Sequence, residues 1–239
     1  MIYLDSAATS FLKPKSVKLA MLRAMDTMSS PGRGAYEAAM RAADKVYECR
    51  TLACRLFNFD KPENVVFTMN ATHALNIAIK TLARHGSRVV VSGYEHNSVT
   101  RALHEIGADV TVAAGKLFDT ESVAAEFEDK VRGADLAVCN HVSNVFGFIQ
   151  PIYEISSICS RHGVPLVIDA SQSAGIETLN CSGLDAAAKP RFIAADSFSA
   201  LTQYIFHSLT QSGYAYNVVR PSLCSVGQML RHYLNKTLR

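Results

Sequence analysis

Four short polar clusters carry the residue types that could do chemistry: Asn70-Ala71-Thr72, Glu95-His96-Asn97, His141-Val142-Ser143-Asn144 and Asp169-Ala170-Ser171-Gln172. Thr72 opens a helical stretch directly after a turn. Backbone N–H groups at a helix start carry partial positive charge and bind phosphate, and a threonine hydroxyl adds a donor; threonine serves equally well there as a plain N-cap. His96 could stack on a flat aromatic ring and move protons near neutral pH, or bond only within its own loop. Asp169 ends an apolar run, where a carboxylate is costly unless paired. It could face the protonated nitrogen of an aromatic ring, or cap the next helix. Gln172 and Asn144 are amides able to donate to a ring oxygen. The set offers an anion-binding turn, an aromatic base, amide and hydroxyl donors and a carboxylate, which suits a phosphate-bearing cofactor.

These residues need a scaffold that brings them together, and the apolar pattern supplies one. Helices are predicted over residues 15–28, 36–57, 72–83, 97–106, 119–131 and 151–162. Val17, Leu19, Ala20, Leu22, Ala24 and Met25 form the apolar face of the first. Strands are predicted at 65–68, 88–92, 110–112, 136–139 and 165–169. Short, uniformly apolar strands separated by helices indicate a parallel sheet covered on both faces, an α/β architecture with right-handed crossovers. In such sheets ligands gather beyond the carboxyl ends of the strands. The clusters after the apolar runs should therefore converge. Beyond about residue 181 the alternation becomes irregular.

Composition narrows the alternatives. With 239 residues, 49% hydrophobic and 19% charged, the chain can bury a core. A net charge of +3, without blocks of like charge, gives no footprint for nucleic acid or for a polybasic membrane contact. The opening residues lack a secretory signal, and no apolar run is long enough to span a bilayer. The six cysteines, at 49, 54, 139, 159, 181 and 224, form no C-x-x-C pair, so no metal site is expected. Scattered thiols in a domain this large imply a reducing, cytoplasmic compartment.

Six motifs in order resemble one family. Tyr3-Leu4-Asp5-Ser6-Ala7-Ala8-Thr9-Ser10 is similar to the Y-L-D-N-A-A-T-S opening of class V aminotransferase-like enzymes that use pyridoxal 5'-phosphate (PLP). Ser30-Pro31-Gly32-Arg33-Gly34-Ala35-Tyr36 resembles a turn of their cysteine desulfurase branch, and Val66 to Thr72 resembles its phosphate turn. Glu95 to Ser98, His141 to Gly147 and Asp169 to Gly175 follow at familiar spacing. The resemblance covers residues 2 to about 180. It implies a PLP fold type I large domain over 1–180 (with 1–15 as an N-terminal segment), a divergent tail over 181–239, the C-terminal small domain absent, and a homodimer. It places Ala71 and Thr72 on the phosphate and His96 on the ring as stacker and proton carrier. Asn144 and Gln172 fall to the ring oxygen, and Asp169 to the pyridinium nitrogen. The implied substrate is L-cysteine, desulfurated to alanine; transamination is an alternative within the class.

Two departures stand out. His73 occupies a position where the family usually has Glu. The family's Gly-His-Lys loop, whose lysine binds the cofactor covalently, has no counterpart: Ala195-Asp196-Ser197-Phe198-Ser199 follows Phe192-Ile193-Ala194. Only Lys189 and Lys236 come after Asp169, and Lys189 beside Pro190 suits a surface turn. Cys224 lacks the surroundings of the family's nucleophilic cysteine. An incomplete or inactive desulfurase, or a noncatalytic pseudoenzyme, is the expectation.

Overall fold

The computed structural model describes residue 2, residues 14–181, residue 184 and the backbone of Phe192–Ala194. The opening motif at residues 3–10, Lys189, Lys236, Cys224, the departure at 195–199 and most of the expected tail lie outside the described residues. The chain divides into two compact units, the described parts of which are 14–69 with Glu177–Leu179, and Asn70–Ile176 continued through 180–181, 184 and 192–194.

The first unit is helical. Helix α1 spans Lys15–Thr27 and α2 spans Glu37–Phe57. Only part of the expected α1 face is buried: Val17, Ala20 and Ala24 are covered, whereas Leu19, Leu22 and Met25 are exposed. At 100° per residue these residues form two neighbouring stripes, and the small-residue stripe is the one that packs. Helix α2 buries Ala39, Ala42, Cys49, Leu52, Ala53, Cys54 and Phe57 and stops at Asn58, whose left-handed φ of 49° terminates the helix. The strand expected at 65–68 does not form. After a short 3₁₀ turn at Pro62–Asn64, residues 65–68 run without a ladder partner among the described residues. An apolar run becomes a strand only where a neighbouring edge takes up its backbone groups.

The second unit holds a five-stranded parallel sheet of order β2-β1-β3-β4-β5. Its strands are β1 Arg88–Ser92, β2 Asp109–Ala113, β3 Leu136–Asn140, β4 Leu166–Asp169 and β5 Phe192–Ala194. Helices α3 (Ala71–Leu82), α4 (Asn97–Ile106), α5 (Thr120–Lys130) and α6 (Ile152–Arg161) complete it. Pleating sends alternate side chains to opposite faces. Val89, Val91, Leu136, Val138 and Val167 join Leu75, Ala78, Ile79, Val99 and Leu103 of α3 and α4 in one core. The alternate positions Val90, Ala137, Cys139 and Ile168 are also fully buried, and α5 and α6 pack on the sheet through Val123, Phe127, Ile155 and Ile158. β2 is the edge strand; Val110 and Val112 are exposed, and the Lys130 ammonium donates to the Val112 carbonyl at 3.0 Å, a charge that blunts an otherwise open edge. Among the described residues no helix is long and apolar enough to cross a membrane.

Helix α3 has a direction that matters for the site. Its last turn lies beside the last turn of α4, where Lys80 bonds Glu105 at 2.8 Å, and the chain enters the amino end of β1 six residues after α3 ends. The 12-residue helix rises about 18 Å, much the height of a five-residue strand. The start of α3 therefore returns to the carboxyl edge of the sheet. Gly115, in the turn after β2, has no room for a side chain: a Cβ there would lie 2.5 Å from the Val123 backbone.

Phe127 is completely buried beneath α5. Replacing it with alanine should cost about 3–5 kcal/mol, read as a lower urea midpoint with an unchanged slope.

Candidate cofactor site

Three neighbouring strands end side by side, and their last residues set the frame. Asn140 of β3 pairs in register with Asp169 of β4, and the ladder continues as the His141 N–H donates to the Asp169 carbonyl at 2.8 Å. β1 lies on the other side of β3. The loops carrying Glu95-His96, His141 to Asn144 and Asp169 to Gln172 thus leave one edge, spread over about 10 Å, and the start of α3 reaches the same edge. The convergence expected from the sequence is present.

At the start of α3 the Asn70 side chain caps by accepting from the His73 N–H at 2.8 Å, and the Asn70 carbonyl accepts from Ala74. The N–H groups of Ala71 and Thr72 then donate to nothing among the described residues, and the exposed Thr72 hydroxyl has no partner there. Thr72 is not the cap; Asn70 does that work. Two free amides and a hydroxyl at a helix start form an anion site. His73 lies inside the first turn, its Nδ1 buried without a partner among the described residues.

Asp169 is 6% exposed. Its Oδ1 accepts from the backbone N–H and the hydroxyl of Ser171, while Oδ2 has no partner among the described residues. A buried carboxylate with one idle oxygen fits a cation or a protonated ring nitrogen.

His96 is exposed, and it is the N-cap of α4. Its Nδ1 accepts from the Ser98 N–H at 3.1 Å and lies 2.8 Å from the Ser98 hydroxyl. An accepting Nδ1 assigns the proton of the neutral ring to Nε2. In this arrangement His96 presents a donor, and accepting a proton at Nε2 requires the ring to change tautomer or leave the cap. Asn144 is exposed in the loop after β3, and Gln172 is half-buried after β4.

The sequence offered no role for the polar group beneath these loops. Glu95 Oε1 accepts from the Ser92 hydroxyl at 2.5 Å and from the Asn140 N–H at 2.7 Å. The Asn140 amide donates to the Tyr94 carbonyl at 2.6 Å, which turns its oxygen toward the Gln150 amide; Gln150 also donates to the Asn140 carbonyl at 2.8 Å. Ser92, Asn140 and Gln150 are each at most 3% exposed. Glu95 Oε2 is buried without a partner among the described residues. The one available signal was a carboxylate three residues beyond an apolar strand.

Burial, opposed by those two hydrogen bonds and reinforced by the charge of Asp169, pushes the Glu95 carboxyl up to about 7. Burial likewise raises the thiols of Cys139, Cys49 (to about 11) and Cys54, so none of these is a ready nucleophile. Among the described residues no group of His, Cys, Asp and Glu could hold a metal.

The raised Glu95 value has a consequence for stability. The folded chain favours the protonated form, so this contribution is complete below the unfolded value near 4.5 and is lost as pH rises through about 7. Thermal midpoints should therefore fall more steeply from pH 5 to 7.5 in the native protein than in Glu95→Gln, compared at about ten intermediate pH values.

Known proteins share this arrangement. The Aminotransferase class-V profile matches residues 2–188. A probable cysteine desulfurase of Methanothermobacter thermautotrophicus is 33% identical over 186 residues, covering 73% of this chain and 44% of its own length. Cysteine desulfurase IscS of Shewanella denitrificans is 33% identical over 184 residues, covering 73% and 45%. The chain thus spans less than half the length of these curated relatives. Among solved structures, the apo cysteine desulfurase of Thermococcus onnurineus superposes with a TM-score of 0.72 at 29% identity, over 83% of this chain and 50% of that one. Such neighbours have PLP fold type I, and PLP is the cofactor of the family. The free amides of α3 and the idle oxygen of Asp169 suit its phosphate and its ring nitrogen respectively. By fold and by a profile match over most of its length, the chain belongs to the class V aminotransferase family.

Proposed function

We propose that this chain is a cysteine desulfurase-like protein that holds PLP without a covalent lysine and, in this form, does not desulfurate L-cysteine. The reading takes residues 1–180 as the PLP-binding large domain. The observation that carries it is the pairing, on one sheet edge, of a free helix N-terminus at Ala71 and Thr72 with the idle carboxylate oxygen of Asp169.

When bound, PLP supplies an electron sink for charge that develops on an amino acid's α-carbon. The residues supply position. Ala71 and Thr72 donate to the phosphate through backbone N–H groups and the hydroxyl. Asp169 holds the ring-nitrogen proton, keeping the ring cationic. Asn144 and Gln172 donate to the ring oxygen. His96 would stack on the ring and, once freed from its cap, would be the group that carries a proton. The missing part is the lysine: Ala195-Asp196-Ser197-Phe198-Ser199 stands where the family has Gly-His-Lys. Phosphate contacts, stacking and the Asp169 pair then bear the whole affinity. The substrate class is L-cysteine, as the desulfurase relatives' names suggest. The assembled form is a homodimer in the cytoplasm, a compartment compatible with Cys49, Cys54, Cys139, Cys159 and Cys181 standing outside any disulfide.

PLP titrated into the full 239-residue chain should bind reversibly by absorbance. Thr72→Ala and Asp169→Asn should each weaken binding about tenfold, the value of one lost charge-assisted hydrogen bond. Borohydride should leave no PLP–lysine adduct detectable by mass spectrometry, and added cysteine should yield no alanine. Robust alanine release would overturn the inactivity; unchanged affinity in both variants would overturn the site.

A further inference from the structure

Glu95 is a member of the site that the PLP contacts do not use. Its carboxyl lies beneath the loop that carries His96, on the opposite side of Asn140 from Asp169. The Asn140 backbone joins the two acids: its N–H donates to Glu95 Oε1 at 2.7 Å, and it is the register partner of Asp169. The Ser92 hydroxyl supplies the second bond to Oε1, and the Gln150 amide in turn donates to the Ser92 hydroxyl and the Asn140 carbonyl. Among the described residues, no lysine, arginine or histidine compensates Glu95. Among the described residues, the titratable groups that act on it are Asp169 from β4 and Cys139 from β3; the Cys139 thiol is held neutral by burial. Two carboxyls thus share one buried strand-end cluster without a counter-charge, and like charges in that setting cannot both ionise freely.

We propose that Glu95 is a positioning residue that stores one proton beside Asp169 and releases it when a cation settles on Asp169. The proposal rests on the assignment of Asp169 to the pyridinium nitrogen. Below about 7 the Glu95 carboxyl keeps its proton, held in part by the charge of Asp169. A cationic ring nitrogen on Asp169 cancels that charge, and the repulsion that kept the Glu95 proton in place falls away. The Glu95 O–H bond then breaks, its electron pair stays on the carboxylate, and the proton leaves to solvent. The Glu95 anion strengthens the bonds from the Ser92 hydroxyl and the Asn140 N–H, tightening the β1 and β3 loop bases around the ring. Linkage makes the effect reciprocal: deprotonating Glu95 raises the affinity for the cationic ring. The raised Glu95 value, about 7, has burial as its largest cause and the Asp169 charge as a further one, in keeping with this coupling.

Carboxyl NMR of the ¹³C-glutamate-labelled full chain, with Glu95→Gln to assign the signal, tests the coupling without cofactor. The Glu95 signal should titrate near 7 and move down by at least about half a pH unit in Asp169→Asn. A midpoint in the ordinary carboxylate range, or one that Asp169→Asn leaves in place, would overturn the proposal. If Asp169→Asn does not fold, the midpoint in the native chain decides alone. The second arm adds PLP to weakly buffered protein at pH 7 and counts protons released. The native chain should release more than Glu95→Gln, and affinity should rise with pH only in the native chain; equal release overturns the proposal. A merely structural role for Glu95 would alter neither difference. Failure of the native chain to bind PLP would defeat the cofactor assignment, and the first arm would still settle the Glu95–Asp169 coupling.

Discussion

The arrangement depends on how Asn140 ends the central strand. Its N–H, its side-chain amide and both of its oxygens are all engaged: with Glu95, with the Tyr94 carbonyl and with Gln150. A strand end buried at 3% exposure must satisfy these groups internally or lose about 1–3 kcal/mol for each one left open. By satisfying them with residues from the loop after β1 and from Gln150, the chain fixes three loop bases at once. The cluster is also unforgiving. Gln150 has two amide hydrogens facing three oxygens, and its own carbonyl oxygen is buried without a partner among the described residues. Such a network specifies one geometry and tolerates little substitution.

The rigid base and the solvent-facing tips divide the work. Asp169, Asn140, Ser92 and Gln150 are buried in the end of the sheet, whereas Thr72, His96 and Asn144 are exposed on its rim. Buried groups keep their geometry with or without a ligand, while exposed groups can adapt to one. His96 shows the cost of exposure. Its ring caps α4 through Ser98, and a helix cap is worth about 1 kcal/mol. Any ligand contact by His96 must exceed that value or be compatible with the cap.

Much of the scaffold was legible because it rests on local pattern. Val89-Val90-Val91 and Leu136-Ala137-Val138 are apolar on both faces, as strands covered by helices on each side must be. The run at 65–68 has the same local composition but no ladder partner among the described residues, a property that no window of sequence contains. The two stripes of α1 were merged for a similar reason: periodicity gives the angle between residues, and only packing selects which arc is covered. The site divides in the same way. Thr72 and Asp169 could be found from their positions after apolar runs. The roles of Glu95, Asn140 and Gln150 could not, because each depends on partners 45 to 58 residues away.

The polarity of the edge argues for a particular kind of ligand. One end presents the N–H groups of Ala71 and Thr72, a partial positive charge from α3 that favours an anion. The other presents Asp169 with an oxygen to spare and, behind it, a second acid whose carboxyl burial pushes up to about 7. An apolar ring would satisfy neither end. A simple anion would be held at α3 and repelled at Asp169, and a simple cation the reverse. A flat molecule with phosphate at one end and a protonated ring nitrogen at the other satisfies both, and its affinity then depends on the charge that the Glu95 pair can carry. Covalent attachment would add strength to that match without changing its polarity. The charge match at this edge therefore stands independently of any covalent attachment.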